Sequence, residues 1–471
     1  MQKVFDDPSK LESLAKQKFG FPDFIMMENA ALAIKNLITS DCIILCGKGN
    51  NGGDGYALAR QLYGTINTLV FCLEEPTAHE AKTQYEMCRK LGVKFLSKTE
   101  LIKRLKDSKN PPAFIVDSLY GTGFKGQLTG DAAKIIQLSN QAKSIRIACD
   151  IPTALEFNAD YTVTMGEHKL ALFSDKAKQV CGKIIVAPLG MDRALFESTL
   201  PSPAAYLITQ DDCLLPLRKN KAAHKGTYGH TAVFAGEKSG AAIICATAAM
   251  NFGSGLTTII KQEKSNLTQF KISPELMISD TIPAKTTCIV LGPGSDSLQV
   301  TTSTAIDAWW FNKSTKSPAA VFDAGMFGDP MFTKLLKKLC SRKDSRIILT
   351  PHLAEFARFS SNITVEELAN SPEAKIKAGM AILKAFPGIT LVVKSANTFI
   401  FSEKQTFIVT DGTPSLAKGG SGDVLAGMIA SLLAQGYTPK DAAISACEAH
   451  ALAGKNHGSN LYDLTPLKLC R

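Results

Sequence analysis

Short apolar runs rich in β-branched residues alternate along the chain with longer stretches of helical period. In the first half these runs are residues 42–46, 68–73, 113–116 and 145–148. In the second half they are 231–234, 288–291, 320–322, 347–349 and 391–393. Gly, Pro and Asp recur at the ends of these runs, and none of the runs alternates apolar with polar positions. That pattern predicts parallel strands buried on both faces and wrapped by helices, an α/β fold in each half. Residues 188–216 break it, with Pro201, Pro203 and Pro216 and weak periodicity. The expected division is therefore residues 1–204 and 205–471. Leu11, Leu14 and Ala15 fall on one face of an N-terminal helix. Asp6, Asp7, Lys10, Glu12 and Lys16 leave residues 1–20 without the apolar stretch of a secretory leader.

Composition narrows the class. Hydrophobic residues make up 45% and charged residues 20%, which fits globular cores. No stretch reaches the ~18 apolar residues of a membrane span. The twelve cysteines are scattered, without Cys-x-x-Cys pairs or zinc spacing. They are expected to be reduced core thiols in a cytoplasmic protein. A net charge of +10 suits anionic small molecules. Basic runs interleaved with aromatics are absent, which argues against nucleic acid.

In open parallel sheets, ligands bind where strands end at their carboxyl side. That rule first selects the loop after residue 46, Gly47-Lys48-Gly49-Asn50-Asn51-Gly52-Gly53-Asp54-Gly55. Gly47, Gly49 and Gly52 satisfy the dinucleotide G-x-G-x-x-G, and Glu74 ends the next strand at about the expected distance. Asp54, however, is expected at the helix N-terminus, where it would repel a pyrophosphate or simply cap the helix. Asn50, Asn51 and Asp54 together make a polar or cation-coordinating loop. Two further strand ends carry acids: Asp117, before Gly121-Thr122-Gly123-Phe124-Lys125-Gly126, and Asp150, before Ile151-Pro152-Thr153-Ala154. One such acid is an ordinary turn residue. Three acids after three strands converge on one crevice.

These segments, with Phe21-Pro22 and Met27-Glu28-Asn29-Ala30, resemble the NAD(P)H-hydrate epimerase family over about residues 1–200. The resemblance implies a Rossmann-like three-layer domain that binds the hydrated nucleotides NADHX and NADPHX. It implies potassium at Asn51, Asp117 and Thr153. It implies substrate contacts from Asn50, Asn51, Gly52, Gly53, Asp54, Gly121, Thr122, Gly123, Phe124, Lys125, Gly126, Gln127 and Asp150. Where the family has Ser-Gly after Asp-Ile-Pro, this chain has Thr153-Ala154, and alanine restricts the backbone more than glycine. In the hydrate, C6 carries a hydroxyl beside N1. Its two epimers interconvert if a bond at C6 opens and closes, and a positioned carboxylate can move the proton. Asp150 is the candidate, with Lys125 as its expected charge partner.

The most specific motif lies in the second half: Ala417-Lys418-Gly419-Gly420-Ser421-Gly422-Asp423-Val424-Leu425-Ala426-Gly427, running into an apolar helix. Glycines at a helix N-terminus leave amides free to cradle an anion. Asp423 stands in that first turn, where the helix dipole is expected to lower its pKa and keep it ionised. Gly292-Pro293-Gly294, Asp323-Ala324 and Thr350-Pro351-His352 each follow a strand. Lys394-Ser395-Ala396-Asn397-Thr398 lies between two strands, and Gly253-Ser254-Gly255 joins a helix to a strand.

Together these resemble the ribokinase-like fold, and within it the ADP- or ATP-dependent NAD(P)H-hydrate dehydratase family, over about residues 205–471. The resemblance implies hydrate contacts from Ser254, Gly294, His352 and Asp423. It implies nucleotide contacts from Lys394, Ser395, Ala396, Asn397, Thr398, Gly419, Gly420, Ser421 and Gly422. It also implies ADP or ATP as the co-substrate, with magnesium as its partner. The chain departs from the family at Leu353-Ala354 and at Lys394-Ser395. The implied reaction phosphorylates the C6 hydroxyl and then eliminates phosphate, with Asp423 as base. The expected whole is a cytoplasmic homo-oligomer acting on small molecules, without nucleic acid or membrane. A small-molecule kinase on the same fold is one alternative, and a nucleotide-binding protein without activity is another. Release of NADH without a phosphorylated product separates the first from the family reading.

Overall fold

A computed structural model describes residues 1–200, 202–360, 363–457 and 461–470. Pro201, cited above for the boundary, and Arg471 lie outside the described residues. The chain forms two compact units, Lys3–Ala204 and Ala205–Arg471 with Met1–Gln2.

The first unit is built on seven parallel strands. In spatial order they are Lys94–Phe95, Thr68–Cys72, Cys42–Cys46, Phe114–Ser118, Ile145–Cys149, Tyr161–Met165 and Lys183–Ala187. Every residue of Cys42–Cys46 and Phe114–Ser118 is buried, as strands covered on both faces require. The chain starts in the middle, winds outward to one side, then crosses back and winds to the other. Direction reverses between Cys42–Cys46 and Phe114–Ser118, so a crevice opens at their carboxyl ends. Glycines let the next helix, Asn50–Leu62, approach closely. A Cβ on Gly52 would lie 1.9 Å from the Gly47 carbonyl oxygen, and one on Gly53 would lie 2.5 Å from the Met27 methyl.

The second unit repeats the principle on a larger sheet. Seven parallel strands run Met277–Ser279, Leu256–Lys261, His230–Ala235, Cys288–Leu291, Ala319–Phe322, Arg346–Leu349 and Ile389–Val393. The winding reverses between His230–Ala235 and Cys288–Leu291. The sheet then continues through an antiparallel hairpin, Thr398–Ser402 and Gln405–Val409. The hairpin departs from the all-parallel expectation. It makes residues 394–397 a lip at the same edge as the other carboxyl ends, with Thr398 already in the strand. The apolar helix Ser421–Ala434 buries nearly its whole length beneath this sheet. Among the described residues no helix is long and apolar enough to cross a membrane.

Candidate functional sites

The crevice of the first unit is a cleft of ≈ 570 Å³. It is lined by Asn50, Asn51 and Asp54 from the glycine loop, by residues 119–125, and by Asp150 and Lys169. Gly121 draws these segments together: a Cβ there would lie 3.3 Å from the Asp150 carboxylate and 3.6 Å from Asn51. Gly52 and Gly53 are buried packing positions, and Gly126 and Gln127 are exposed beyond the cleft. None of the four is among the residues that line the cleft.

Asp54 is not at the helix N-terminus. The helix begins at Asn50 with Gly49 as its cap, so Asp54 lies in the second turn and caps nothing. Burial, followed by the nearby charges of Asp150 and Glu12, pushes its carboxyl well above the usual range. Asp54 therefore does not occupy the position at which repulsion of a phosphate was expected.

Asp117 is fully buried and ties two strand ends together. It accepts from the Thr153 amide at 2.8 Å, the Thr153 hydroxyl at 2.7 Å and the Leu119 amide at 3.2 Å. Burial raises its pKa to about 6 against these hydrogen bonds. The Asn51 side-chain amide is buried, with no hydrogen-bond partner for its oxygen or nitrogen among the described residues. A buried side-chain carbonyl oxygen left without a partner suits a cation ligand. Ala154 has φ +55, in the left-handed region where the family's glycine would be relaxed.

Asp150 also has positive φ, +71. Its amide donates to the Val163 carbonyl at 2.7 Å, which turns the side chain into the cleft. Its charge partner is Lys169, not Lys125, which is exposed at the rim. Lys169 is 3% exposed and makes a direct ion pair with Asp150. Burial disfavours the ammonium, but Asp150, Glu167 and Glu12 outweigh it and raise its pKa. The first-half strands considered in the sequence end at residue 148. Extending the strand-end rule to Tyr161–Met165 would have reached Lys169. At the rim, Glu74 accepts from Lys48 at 2.8 Å and from the Tyr120 hydroxyl at 3.2 Å, and Tyr120 stacks on Phe124 at 4.7 Å.

The second unit holds a cleft of ≈ 860 Å³ at the carboxyl ends of its strands, lined in part by Lys238, Ala241, Gly294, Ser295, Glu355 and Asp423. The helix Ser421–Ala434 is capped by Gly420 with φ 94, a conformation only glycine enters freely. Gly422 and Asp423 occupy the first turn, where backbone amides have no intrahelical partner. The Lys394 ammonium stands 3.3 Å from the place a Cβ on Gly422 would take. It donates to Asp323 at 2.6 Å, and Asp323 also accepts from Thr350 at 2.9 Å.

The expected depression of the Asp423 pKa is overturned. Burial first, and the negative charge of Asp323 second, raise it to about 7 against the pull of Lys394. A helix dipole contributes only part of a charge. Loss of water and a neighbouring carboxylate outweigh it. The capping reading also falls, because Gly420 is the cap.

His352 ends its strand as expected. Its Nδ1 accepts from the Ala354 and Glu355 amides at 3.1 and 3.3 Å, and Glu355 returns a bond to the His352 amide at 2.8 Å. Both residues therefore cap the next helix, and more than half of the imidazole remains exposed. Ser395 donates to the Asn397 carbonyl at 2.7 Å, which closes the lip where Ala396 is exposed. Ser254 does not line this cleft. It precedes Leu256–Lys261 at the amino end of the sheet, bonded to Thr231 at 2.7 Å. A six-residue strand, roughly 20 Å at ~3.3 Å per residue, separates it from the cleft. Helix-to-strand connections in a parallel sheet lie at that opposite edge. Lys238 and Ala241, just after His230–Ala235, line the cleft instead. His450 was also missed: its Nε2 meets the Ser421 hydroxyl at 3.2 Å and carbonyl at 3.1 Å beneath the glycine turn. Burial lowers its pKa to about 4, so it is neutral.

Comparison with known proteins gives one family match in each half of the chain. Residues 231–470 match the NAD(P)H-hydrate dehydratase family, and residues 23–171 match the YjeF-related protein N-terminus. The bifunctional NAD(P)H-hydrate repair enzyme Nnr of Helicobacter pylori is 36% identical, with the alignment covering 100% of this chain and 98% of that one. The protein of the same name from Moorella thermoacetica is 28% identical, covering 94% and 90%. Among solved structures, a Bacillus subtilis ADP/ATP-dependent NAD(P)H-hydrate dehydratase co-crystallised with ATP and Mg2+ is 26% identical. It covers 56% of this chain and 95% of that one, with a TM-score of 0.47.

Proposed function

The chain belongs to the family of bifunctional NAD(P)H-hydrate repair enzymes, and from that premise we propose how its residues divide the repair. Residues 1–204 interconvert the C6 epimers of NADHX and NADPHX. Residues 205–471 dehydrate the S epimer to NADH or NADPH at the expense of ADP or ATP. The observation that carries the second assignment is the meeting of three groups. Unpartnered amides of a helix N-terminus, a lysine at a strand end and the carboxylate of Asp423 share one edge of the sheet.

In the dehydratase unit, Gly419, Gly420, Ser421 and Gly422 cradle the transferring phosphoryl group. Lys394, Ser395, Ala396, Asn397 and Thr398 form the lip over the rest of the nucleotide. Gly294 and His352 border the hydrate. Asp423 takes the C6 hydroxyl proton as oxygen attacks phosphorus. The backbone amides and Lys394 meet the charge that develops on the phosphoryl oxygens. Phosphate then leaves C6 while C5 loses a proton, and the ring double bond re-forms. Magnesium would accompany the nucleotide. Among the described residues no cluster of three or more His, Cys, Asp or Glu is placed to hold a metal.

In the epimerase unit, Asn51, Asp117 and Thr153 would hold potassium. The orphaned Asn51 amide supports this, and the ion would supply positive charge for oxygens of the bound hydrate. Asn50, Asp54 and residues 121–125 border the substrate, and Asp150 is the base that accepts the C6 hydroxyl proton. We place the protein in the cytoplasm; its twelve free cysteines accord with a reducing compartment.

The test is incubation of mixed hydrate epimers with ADP or ATP, following absorbance of the reduced nicotinamide and resolving the epimers by chromatography. The parent consumes both epimers and accumulates no phosphorylated hydrate. Asp423→Asn loses dehydration by on the order of 10²–10⁴-fold while the epimers still interconvert. Asp150→Asn shows the converse. A stable phosphorylated product would instead establish the small-molecule kinase.

A further inference from the structure

Epimerisation through an opened ring needs two proton transfers at one carbon. The C6 hydroxyl must lose a proton as the aldehyde forms, and N1 must gain one as the C6–N1 bond breaks. Asp150 supplies only the first. Among the cleft lysines, Lys48 is committed to Glu74 at the exposed rim, and Lys125 is exposed there as well. Lys169 lines the cleft floor in direct contact with Asp150 and is buried.

Its position is built rather than incidental. Gly166, at φ +79, turns the chain after Tyr161–Met165, and His168 and Lys169 pair in parallel with Val4 and Phe5. Lys169 is thereby fixed from the backbone, and the Asp150 main chain is fixed by its bond to Val163. Glu167 is fully buried, and neither of its carboxylate oxygens has a hydrogen-bond partner among the described residues. Together with Glu12 it favours the proton on Lys169 between turnovers. A buried ion pair costs desolvation that apolar residues of similar volume would avoid, so its place in an otherwise well-packed floor is weak evidence of a stabilising role.

We propose that Lys169 is the second catalytic residue of epimerisation, an acid paired with Asp150 across the geminal oxygen and nitrogen of C6. The Asp150 carboxylate takes the hydroxyl proton, the oxygen lone pair forms the C6 carbonyl, and the C6–N1 electron pair moves onto N1. That pair is delocalised through the C2–C3 double bond into the carboxamide, and N1 takes the Lys169 proton. Rotation about C5–C6 presents the other face of the aldehyde. N1 then attacks C6, returns its proton to the Lys169 amine, and the oxygen recovers its proton from Asp150. No atom is gained or lost, and no oxidant is required.

This inference rests on the reading of Asp150 as the base, and the experiment keeps the two apart. In the full-length chain, Lys169→Ala, Lys169→Arg and Asp150→Asn are compared by chromatographic R-to-S exchange. Dehydration of pure S epimer serves as the control for the second unit. Lys169→Ala is expected to lose exchange by on the order of 10²–10⁴-fold with KM for the hydrate little changed. Added ethylammonium should restore the rate in proportion to its concentration. Lys169→Arg keeps the positive charge among the buried acids but holds its proton too tightly to give it up. It is expected to fold and remain inactive. If Lys169→Ala fails to fold, the arginine variant decides: parent-like exchange there would reduce Lys169 to a counter-ion and overturn the proposal. Folded Lys169→Ala that ethylammonium does not rescue would overturn it too. Normal exchange in Asp150→Asn, with Lys169→Arg inactive, would remove Asp150 as the base and leave the lysine as the proton donor.

Discussion

The Asp423 carboxyl should set the pH dependence of dehydration, and its neighbour Asp323 should set the midpoint. The base works only when ionised, and burial with the Asp323 charge raises its pKa to about 7. The sign follows: activity falls as the proton returns. With a midpoint near about 7, roughly half of the enzyme is competent at the midpoint and about one-tenth at a pH one unit lower. Replacing Asp323 by Asn removes the neighbouring negative charge and releases Lys394, now 2.6 Å from Asp323, to face Asp423. Each unit of pKa corresponds to ~1.36 kcal/mol of differential interaction, a modest demand on a buried charge pair. A downward shift of about one unit would raise the competent fraction one unit below the original midpoint roughly five-fold. The assay is absorbance of reduced nicotinamide from pure S epimer at saturating nucleotide, followed across the pH range. Asp323→Asn also disturbs Lys394, so the maximum rate is expected to fall. The informative quantity is the midpoint, which amplitude does not move. A profile flat through the acidic range in the parent, or the same midpoint in Asp323→Asn, would refute the reasoning.

Ala154→Gly should relieve a left-handed backbone that costs alanine ~1–2 kcal/mol, partly offset by the ~0.4–1 kcal/mol of added unfolded-chain entropy. A small rise in the thermal midpoint of the first unit, with epimerase activity retained, is the expected result. Asp117→Asn keeps the size, removes the charge and turns one of the two oxygens that accept from Thr153 into a donor. Epimerisation should then need much higher potassium, as read by a potassium titration of R-to-S exchange, while dehydration of S epimer stays at the parent rate. His450→Leu removes the donor beneath the glycine turn and should weaken nucleotide binding by roughly 1–3 kcal/mol, measured by calorimetry. His450→Gln should recover part of that loss, and its effect should not vary with pH near neutrality because the imidazole is already neutral.

Much of this protein was legible in its sequence because the signals are local. A both-face-buried strand followed by Gly, Pro or Asp is a feature of a few adjacent residues. The strands at Cys42–Cys46, Phe114–Ser118 and Cys288–Leu291 could be placed from it. The glycines before Asp423 announced a helix N-terminus by the same local logic, since only glycine enters the φ of Gly420 freely. The winding order, which opens each cleft at a reversal, was not read from the sequence, because it depends on which distant strands become neighbours.

What the tertiary structure alone decided are the partners and the charges. Asp150 faces Lys169 because the sheet sets them side by side, and no spacing in the sequence favoured that lysine over Lys125. Ser254 sits among glycines as convincingly as any site residue, yet the direction of its strand carries it to the far edge. Asp423 was expected to be ionised from its place on a helix. Its pKa depends instead on how much water the fold removes and on Asp323, delivered by a distant strand. Backbone conformation answers mainly to neighbours along the chain, whereas desolvation and Coulomb interactions answer to neighbours in space, and only the folded chain specifies those.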